Sequence, residues 1–256
     1  MSRTLSAARV GWLPESHRGL SARLLGPAAL LVAAAAAVLG LGVAPPDRVQ
    51  GQAQRLMYVH VPSAWTAYCA FGVVALASLV VLLGKGGRRW DAAARAGAEL
   101  GVGMTALTIA EGSLWGHSAW GVWWTWDPRL VTTALLLVIY LGYLAVRALP
   151  GPRLVARRRA AIAGLVCVAW IPVVHMSVLW WRSLHQPPTL LRPDLNPPIA
   201  TPMLVALLVA LVAFMLGGAW FVLHRVDQLA PQPRPLAVPQ PAEEPAEAVV
   251  EESLSL

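Results

Sequence analysis

Six long apolar blocks separated by short polar connections organise this chain, at residues 24–43, 64–83, 96–114, 130–146, 160–180 and 202–223. Each is at or near the roughly 20 residues that cross a bilayer as a helix. They run as continuous blocks, without the periodic stripes of a soluble core. The pattern predicts an all-α membrane protein, a bundle of six transmembrane helices. The first block outruns the roughly 7–15 apolar residues of a secretory signal and follows an Arg-bearing leader, so it is read as a retained span. The expected organisation is a cytoplasmic leader at 1–23, a six-span domain at 24–223 and a tail at 224–256. That tail is rich in Pro, Ala and Glu and is expected to be a disordered cytoplasmic extension.

Composition agrees with the blocks, at 57% hydrophobic and 13% charged residues. Of the 20 Lys and Arg, all but Arg48, Arg55, Arg129, Arg182 and Arg192 fall in the termini and in the second and fourth connections. By the positive-inside rule both termini are cytoplasmic, and the connection carrying Trp115–Trp126 faces outward. The net charge of +7 is then explained by basic cytoplasmic loops, with no nucleic acid needed. Cys69 and Cys167 are single residues inside predicted spans, so the chain has no Cys-x-x-Cys-His and is not itself a c-type cytochrome. It also lacks a Walker-type phosphate loop, so an ATP-driven step would belong to a partner.

The chemistry concentrates on the outer connections. Trp115, Trp120, Trp123, Trp124 and Trp126 crowd twelve positions between two apolar blocks. An aromatic belt accounts for one or two Trp at a helix end, whereas a wall for a large flat ligand accounts for five. Trp120, Trp123, Trp124 and Asp127 follow i, i+3, i+4, i+7 and would share one face if the segment, otherwise a loop, formed a short interfacial helix. Asp127 followed by Pro128 reads as an N-cap with Pro at N1. Arg129 is placed to pair with Asp127, to snorkel, or to meet an anionic group such as a haem propionate, with Arg55 and Arg182 as alternatives. Glu111 is a buried-acid candidate one turn inside the third helix.

His60 just before the second span and His185 just after the fifth are expected at matching depth. Two neutral imidazoles from different loops can clamp a haem iron, although an interfacial His alone is as readily a hydrogen-bonded boundary residue. His117 is a spare candidate, and His175 lies two to three turns inside the fifth span.

The segment Gly112-Ser113-Leu114-Trp115-Gly116-His117-Ser118-Ala119-Trp120-Gly121-Val122-Trp123-Trp124-Thr125-Trp126-Asp127-Pro128-Arg129-Leu130 resembles the tryptophan-rich "WWD" signature of bacterial haem-handling proteins. With Met57-Tyr58-Val59-His60-Val61-Pro62-Ser63-Ala64-Trp65 and Ser177-Val178-Leu179-Trp180-Trp181-Arg182-Ser183-Leu184-His185-Gln186-Pro187, the chain is similar to the CcmC family of cytochrome c maturation. That resemblance implies haem b held on the outer face of the inner membrane, with His60 and His185 as axial ligands and the Trp segment as platform. It further implies delivery to the haem chaperone CcmE, and partnership with the subunits CcmA, CcmB and CcmD. Val131 departs from the Thr often found there in the family.

The sequence is therefore read as a haem-binding, haem-presenting membrane protein, not an enzyme, whose cofactor-binding residues are Trp115, Trp120, Trp123, Trp124, Trp126, Asp127 and Arg129. The alternatives are an ABC-type permease subunit exporting haem or another substrate, and a structural subunit whose Trp belt only anchors it.

Overall fold

The computed structural model describes residues 15–185 and 199–230, the leader before Glu15, the segment 186–198 and the tail from 231 lying outside the described residues. Helix α1 spans Glu15–Val38 and ends in a π-turn, Leu39–Val43. A 3₁₀ turn at Gln52–Leu56 leads directly into α2, Met57–Leu82. Then follow α3 (Arg88–Trp120), α4 (Pro128–Ala148), α5 (Arg153–Val168), α6 (Trp170–Trp180) and α7 (Thr201–Leu229). Among the described residues, five stretches are long and apolar enough to cross a membrane, with α5 and α6 counting as one. The sixth rod, α3, has 33 residues, about 50 Å at 1.5 Å per residue. It is less apolar because Arg88, Arg89, Asp91, Arg95 and Glu99 occupy its first turns. The expected six-helix membrane bundle is thus the architecture observed.

Several expected boundaries move. α2 begins at Met57, so His60 sits within the helix and not ahead of it. α7 continues to Leu229, past the domain limit expected at residue 223. The fifth rod breaks at Ala169, between α5 and α6. Pro172 has no N–H to give the carbonyl of Val168, and its ring crowds that oxygen, so the helix breaks here, whereas α1 accommodates Pro27 in its interior.

α2 and α3 pack intimately because their shared face is built from Ala and Gly. A Cβ added at Gly97 would lie 2.7 Å from the backbone oxygen of Ala70, and one at Gly101 would lie 2.2 Å from the Phe71 ring. Between helices in a bilayer, small residues let backbones approach, and van der Waals contact then holds them. The core continues outward through Phe71, stacked on Tyr140 with centroids 3.5 Å apart, and Tyr143 beside it. Phe71, Tyr140 and Tyr143 are fully buried, tying α2 to α4.

The rods alternate in direction, so one end of the bundle gathers the α1–α2 connection, the α3–α4 connection, the end of α6 and the start of α7. We call this the tryptophan end. At the opposite, arginine end, Arg147 binds Asp91 at 2.8 Å, Arg225 binds Glu99 at 2.6 Å and Arg89 binds Asp227 at 2.5 Å.

Gly97→Val forces a side chain against backbone that no rotamer change relieves, and is expected to cost about 1–3 kcal/mol. Gly103→Ala, where nothing lies within 4 Å, is expected to be neutral or stabilising. Tryptophan-fluorescence melting in detergent distinguishes them: a lower midpoint for the first only.

Candidate functional site

Helix α3 stops at Trp120 because Gly121 takes a left-handed conformation, φ 76°, and its amide closes back on the His117 carbonyl. From there to Asp127 the chain is irregular, and Asp127, preceding Pro128, is extended as that position requires. The helical face expected for Trp120, Trp123, Trp124 and Asp127 is therefore absent, the segment being a loop. The stripe that does exist runs the other way along α3. Gly112, Trp115, Gly116, Ala119 and Trp120 follow i, i+3, i+4, i+7, i+8 and all line one cavity.

That cavity measures about 410 Å³ and lies among α2, α3 and α6 at the tryptophan end. Its α2 wall is a second helical stripe, His60, Val61, Ala64, Trp65 and Tyr68, and His175, Arg129 and His185 close the far side. A smaller cavity of about 100 Å³ adjoins it between α2, α3 and α4, again lined by His60, Arg129 and His185, with Trp124 added. Of the five Trp, the structure brings Trp115, Trp120 and Trp124 to these cavities. Trp123 instead stacks on His117, centroids 4.1 Å apart, and is 57% exposed. Trp126 packs edge-on against Trp124 and is 84% exposed. Of the five Trp expected to bind the cofactor, Trp115, Trp120 and Trp124 thus line the cavities, Trp123 and Trp126 do not, and His117 lines neither cavity.

Both histidines meet the cavity, as their sequence positions suggest. His60 stands edge-on to Trp115 at 5.6 Å, and His185 edge-on to Trp120 at 5.1 Å. The His60 ring lies against Gly112, where a Cβ would come within 2.9 Å of Cε1. Its Nδ1 is buried without a hydrogen-bond partner among the described residues. His185 is held quite differently, by Asp127.

Asp127 is the hub of the site. Its carboxylate accepts the Arg129 amide at 2.8 Å, confirming the N-cap on α4. It also accepts the Leu184 amide at 2.6 Å, the Ser183 hydroxyl at 2.9 Å, and sits 3.0 Å from His185 Nδ1. Burial opposes its charge, but the Leu184 amide, the Ser183 hydroxyl, the Arg129 amide and the nearby imidazole outweigh it and hold the carboxyl below its ordinary value. Burial depresses His185, the Asp127 carboxylate opposing only in part, so its imidazole is neutral at pH 7. With Nδ1 engaged by the carboxylate, Nε2 remains for a metal, the arrangement by which a carboxylate behind a histidine fixes its ring toward a metal.

Arg129 does not pair its guanidinium with Asp127. It donates to the His175 carbonyl at 3.0 Å and the Ser177 hydroxyl at 3.1 Å, fastening α4 to α6 at the cavity edge. Arg55 donates to the carbonyls of Leu41 and Ala44, serving the end of the α1 π-turn. Arg182 is exposed and Glu111 lines neither cavity.

Three contributors were not foreseen. Gln50 lines the cavity and accepts the Trp115 indole N–H at 2.8 Å, in a turn that Asp47 ties through the amides of Val49 and Gln50. Nothing in the local sequence marks it. Trp65 and Tyr68 were legible as i+5 and i+8 from His60, on the same side of α2.

The profile of the family described as "Heme exporter protein C", CcmC, matches residues 13–234. The chain belongs to the CcmC family. Relatives described as "Heme exporter protein C" include one from Haemophilus influenzae, 36% identical over 188 residues, covering 73% of this chain and 76% of the relative. Another, from Bradyrhizobium diazoefficiens, is 37% identical over 211 residues, covering 79% and 78%. A "ccmC-like mitochondrial protein" of cytochrome c biosynthesis from Arabidopsis thaliana is 35% identical over 191 residues, 74% and 71%. In this CcmC-family member His60 of α2 and His185 of the turn after α6 thus share a Trp-walled cavity.

Asp127→Ala removes the α4 cap and releases the 183–185 turn together, with an expected cost of about 1–3 kcal/mol. Hydrogen exchange at the Leu184 amide should quicken in this variant while exchange in α2 stays as in the wild type. The carboxylate's contribution in the wild type is present above its ordinary value of 3.8. It is lost as pH falls through the lower folded value.

Proposed function

We propose that this protein binds haem b as cargo in the cavity at its tryptophan end and presents it for cytochrome c maturation. The observation that carries the reading is that His60 and His185, from α2 and from the turn after α6, line one cavity walled by Trp115 and Trp120. The donor set suits haem: two neutral imidazoles for the iron, indoles for the porphyrin faces, and Arg129 at the rim for a propionate. A cavity of about 410 Å³ is of the size that takes a ligand of this class. The relatives' description as haem exporter proteins supports the same cargo.

On this reading His60 and His185 are axial ligands, Asp127 positions His185, and Trp115, Trp120 and Trp124 flank the macrocycle. Trp123 and Trp126, turned away from the cavity, form the outer surface that a receiving protein meets. The excess of Arg at the opposite end supports a cytoplasmic position for that end, with the haem site on the outer face of a bacterial inner membrane. The receiver would be the chaperone CcmE, with CcmA, CcmB and CcmD as companion subunits. The role is binding and presentation, the iron chemistry belonging to the cargo.

Purified in mild detergent and supplied with haem, the protein is expected to give a six-coordinate haem spectrum. His60→Ala and His185→Ala should each lose that form, and Asp127→Asn should weaken haem binding roughly 10–100-fold. A wild-type protein that stays colourless, or a spectrum unchanged in both His variants, would overturn the assignment.

A further inference from the structure

A second cavity, independent of the tryptophan-end site, opens at the arginine end. It measures about 260 Å³ and is built by two matching helical stripes: Arg88, Asp91, Ala92 and Arg95 on α3, and Arg153, Ala156, Arg157 and Ala160 on α5. Both stripes follow i, i+3, i+4, i+7, so each turns one face to the gap. Arg147 from α4 and Leu229 from α7 complete the wall.

The charges in this cavity are not balanced among the described residues. Asp91 is its sole acid, and Asp91 is already taken by Arg147, which binds both its carboxylate at 2.8 Å and its carbonyl at 3.1 Å. Arg95 is matched by Glu99 at 2.9 Å. Arg157 spends one nitrogen on the carbonyls of Gly86 and Gly87, at 2.8 and 3.0 Å, and its Nε is buried with no partner among the described residues. Arg88 and Arg153 make no hydrogen bond or ion pair among the described residues, yet both line the gap from facing helices. Three guanidinium groups with open donors around a small cavity call for a multidentate oxyanion, and Arg forks match phosphate oxygens in pairs.

We propose that this cavity binds the phosphate of an anionic phospholipid headgroup, clamped between Arg88 of α3 and Arg153 and Arg157 of α5. The placement favours a lipid over free phosphate. The cavity sits at the ends of membrane-spanning helices, and Leu149, Leu154 and Val155 beside it are 51%, 70% and 55% exposed, an apolar flank for acyl chains. Basic pockets between transmembrane helices at this level are suited to acidic headgroups.

The test uses the full chain in an uncharged detergent, with the thermal unfolding midpoint read against added phosphatidylglycerol, phosphatidylcholine of the same acyl chains, or inorganic phosphate. Phosphatidylglycerol is expected to raise the midpoint saturably and phosphatidylcholine to leave it unchanged. Arg88→Gln with Arg153→Gln should weaken the phosphatidylglycerol effect roughly thirtyfold, about fivefold per charge removed. Arg48→Gln, an equal loss of charge in the α1–α2 connection, should leave it intact. Arg153→Gln alone, an exposed first-turn substitution, gives the same readout should the double variant fold poorly. No saturable response to phosphatidylglycerol, or an equal response in the cavity variants, overturns the site. Inorganic phosphate acting at the same concentration as phosphatidylglycerol keeps the oxyanion site and overturns the lipid.

Discussion

One buried carboxylate joins the parts of the tryptophan end that are otherwise far apart in the chain. Asp127 caps α4 through the Arg129 amide and anchors the turn after α6 through Ser183, Leu184 and His185. Without it, the backbone amide of Leu184 and the imidazole Nδ1 would need new partners at a semi-buried boundary, where unmade hydrogen bonds are costly. The orientation of His185 toward the cavity is a consequence of this arrangement. So is the fixed approach of α6 to α4, which Arg129 reinforces through the His175 carbonyl and Ser177.

The close contact of α2 with α3 sets the opposite wall. Gly97 and Gly101 admit the Ala70 backbone and the Phe71 ring, so the two helices approach closely there. Further along the same pair, Gly112 admits the His60 ring, and Gly116 and Ala119 line the cavity that the large rings of Trp115 and Trp120 frame. Small residues thus do two jobs on one helix: they admit the neighbouring helix at Gly97 and Gly101, and they seat the His60 ring and line the cavity at Gly112, Gly116 and Ala119.

Much of this was legible in the chain. Block hydropathy was sufficient for the six rods, because a bilayer requires each span to satisfy its own backbone and so makes length and apolarity decisive. The matching depth of His60 and His185 followed from their distance to helix ends, and the Asp127-Pro128 cap from local rules. What could not be read were the partners of Asp127 at residues 183–185, since contacts between residues more than fifty positions apart leave no local signature. The helical face expected for Trp120, Trp123, Trp124 and Asp127 fails for a local reason: Gly121 ends α3, so helical periodicity applies before it and not after. Pro172 carried the signal for the break at Ala169, which the apolarity of the whole block concealed.

The unequal support of the two histidines has a further effect on how a cargo would leave. His185 shares its Nδ1 with a carboxylate, which makes the other nitrogen more electron-rich and the stronger donor to a metal. His60 has no such backing at Nδ1 among the described residues. Were haem held as proposed, His185 would be the firmer of the two holds and His60 the weaker, so exchange with a receiving protein would begin at His60.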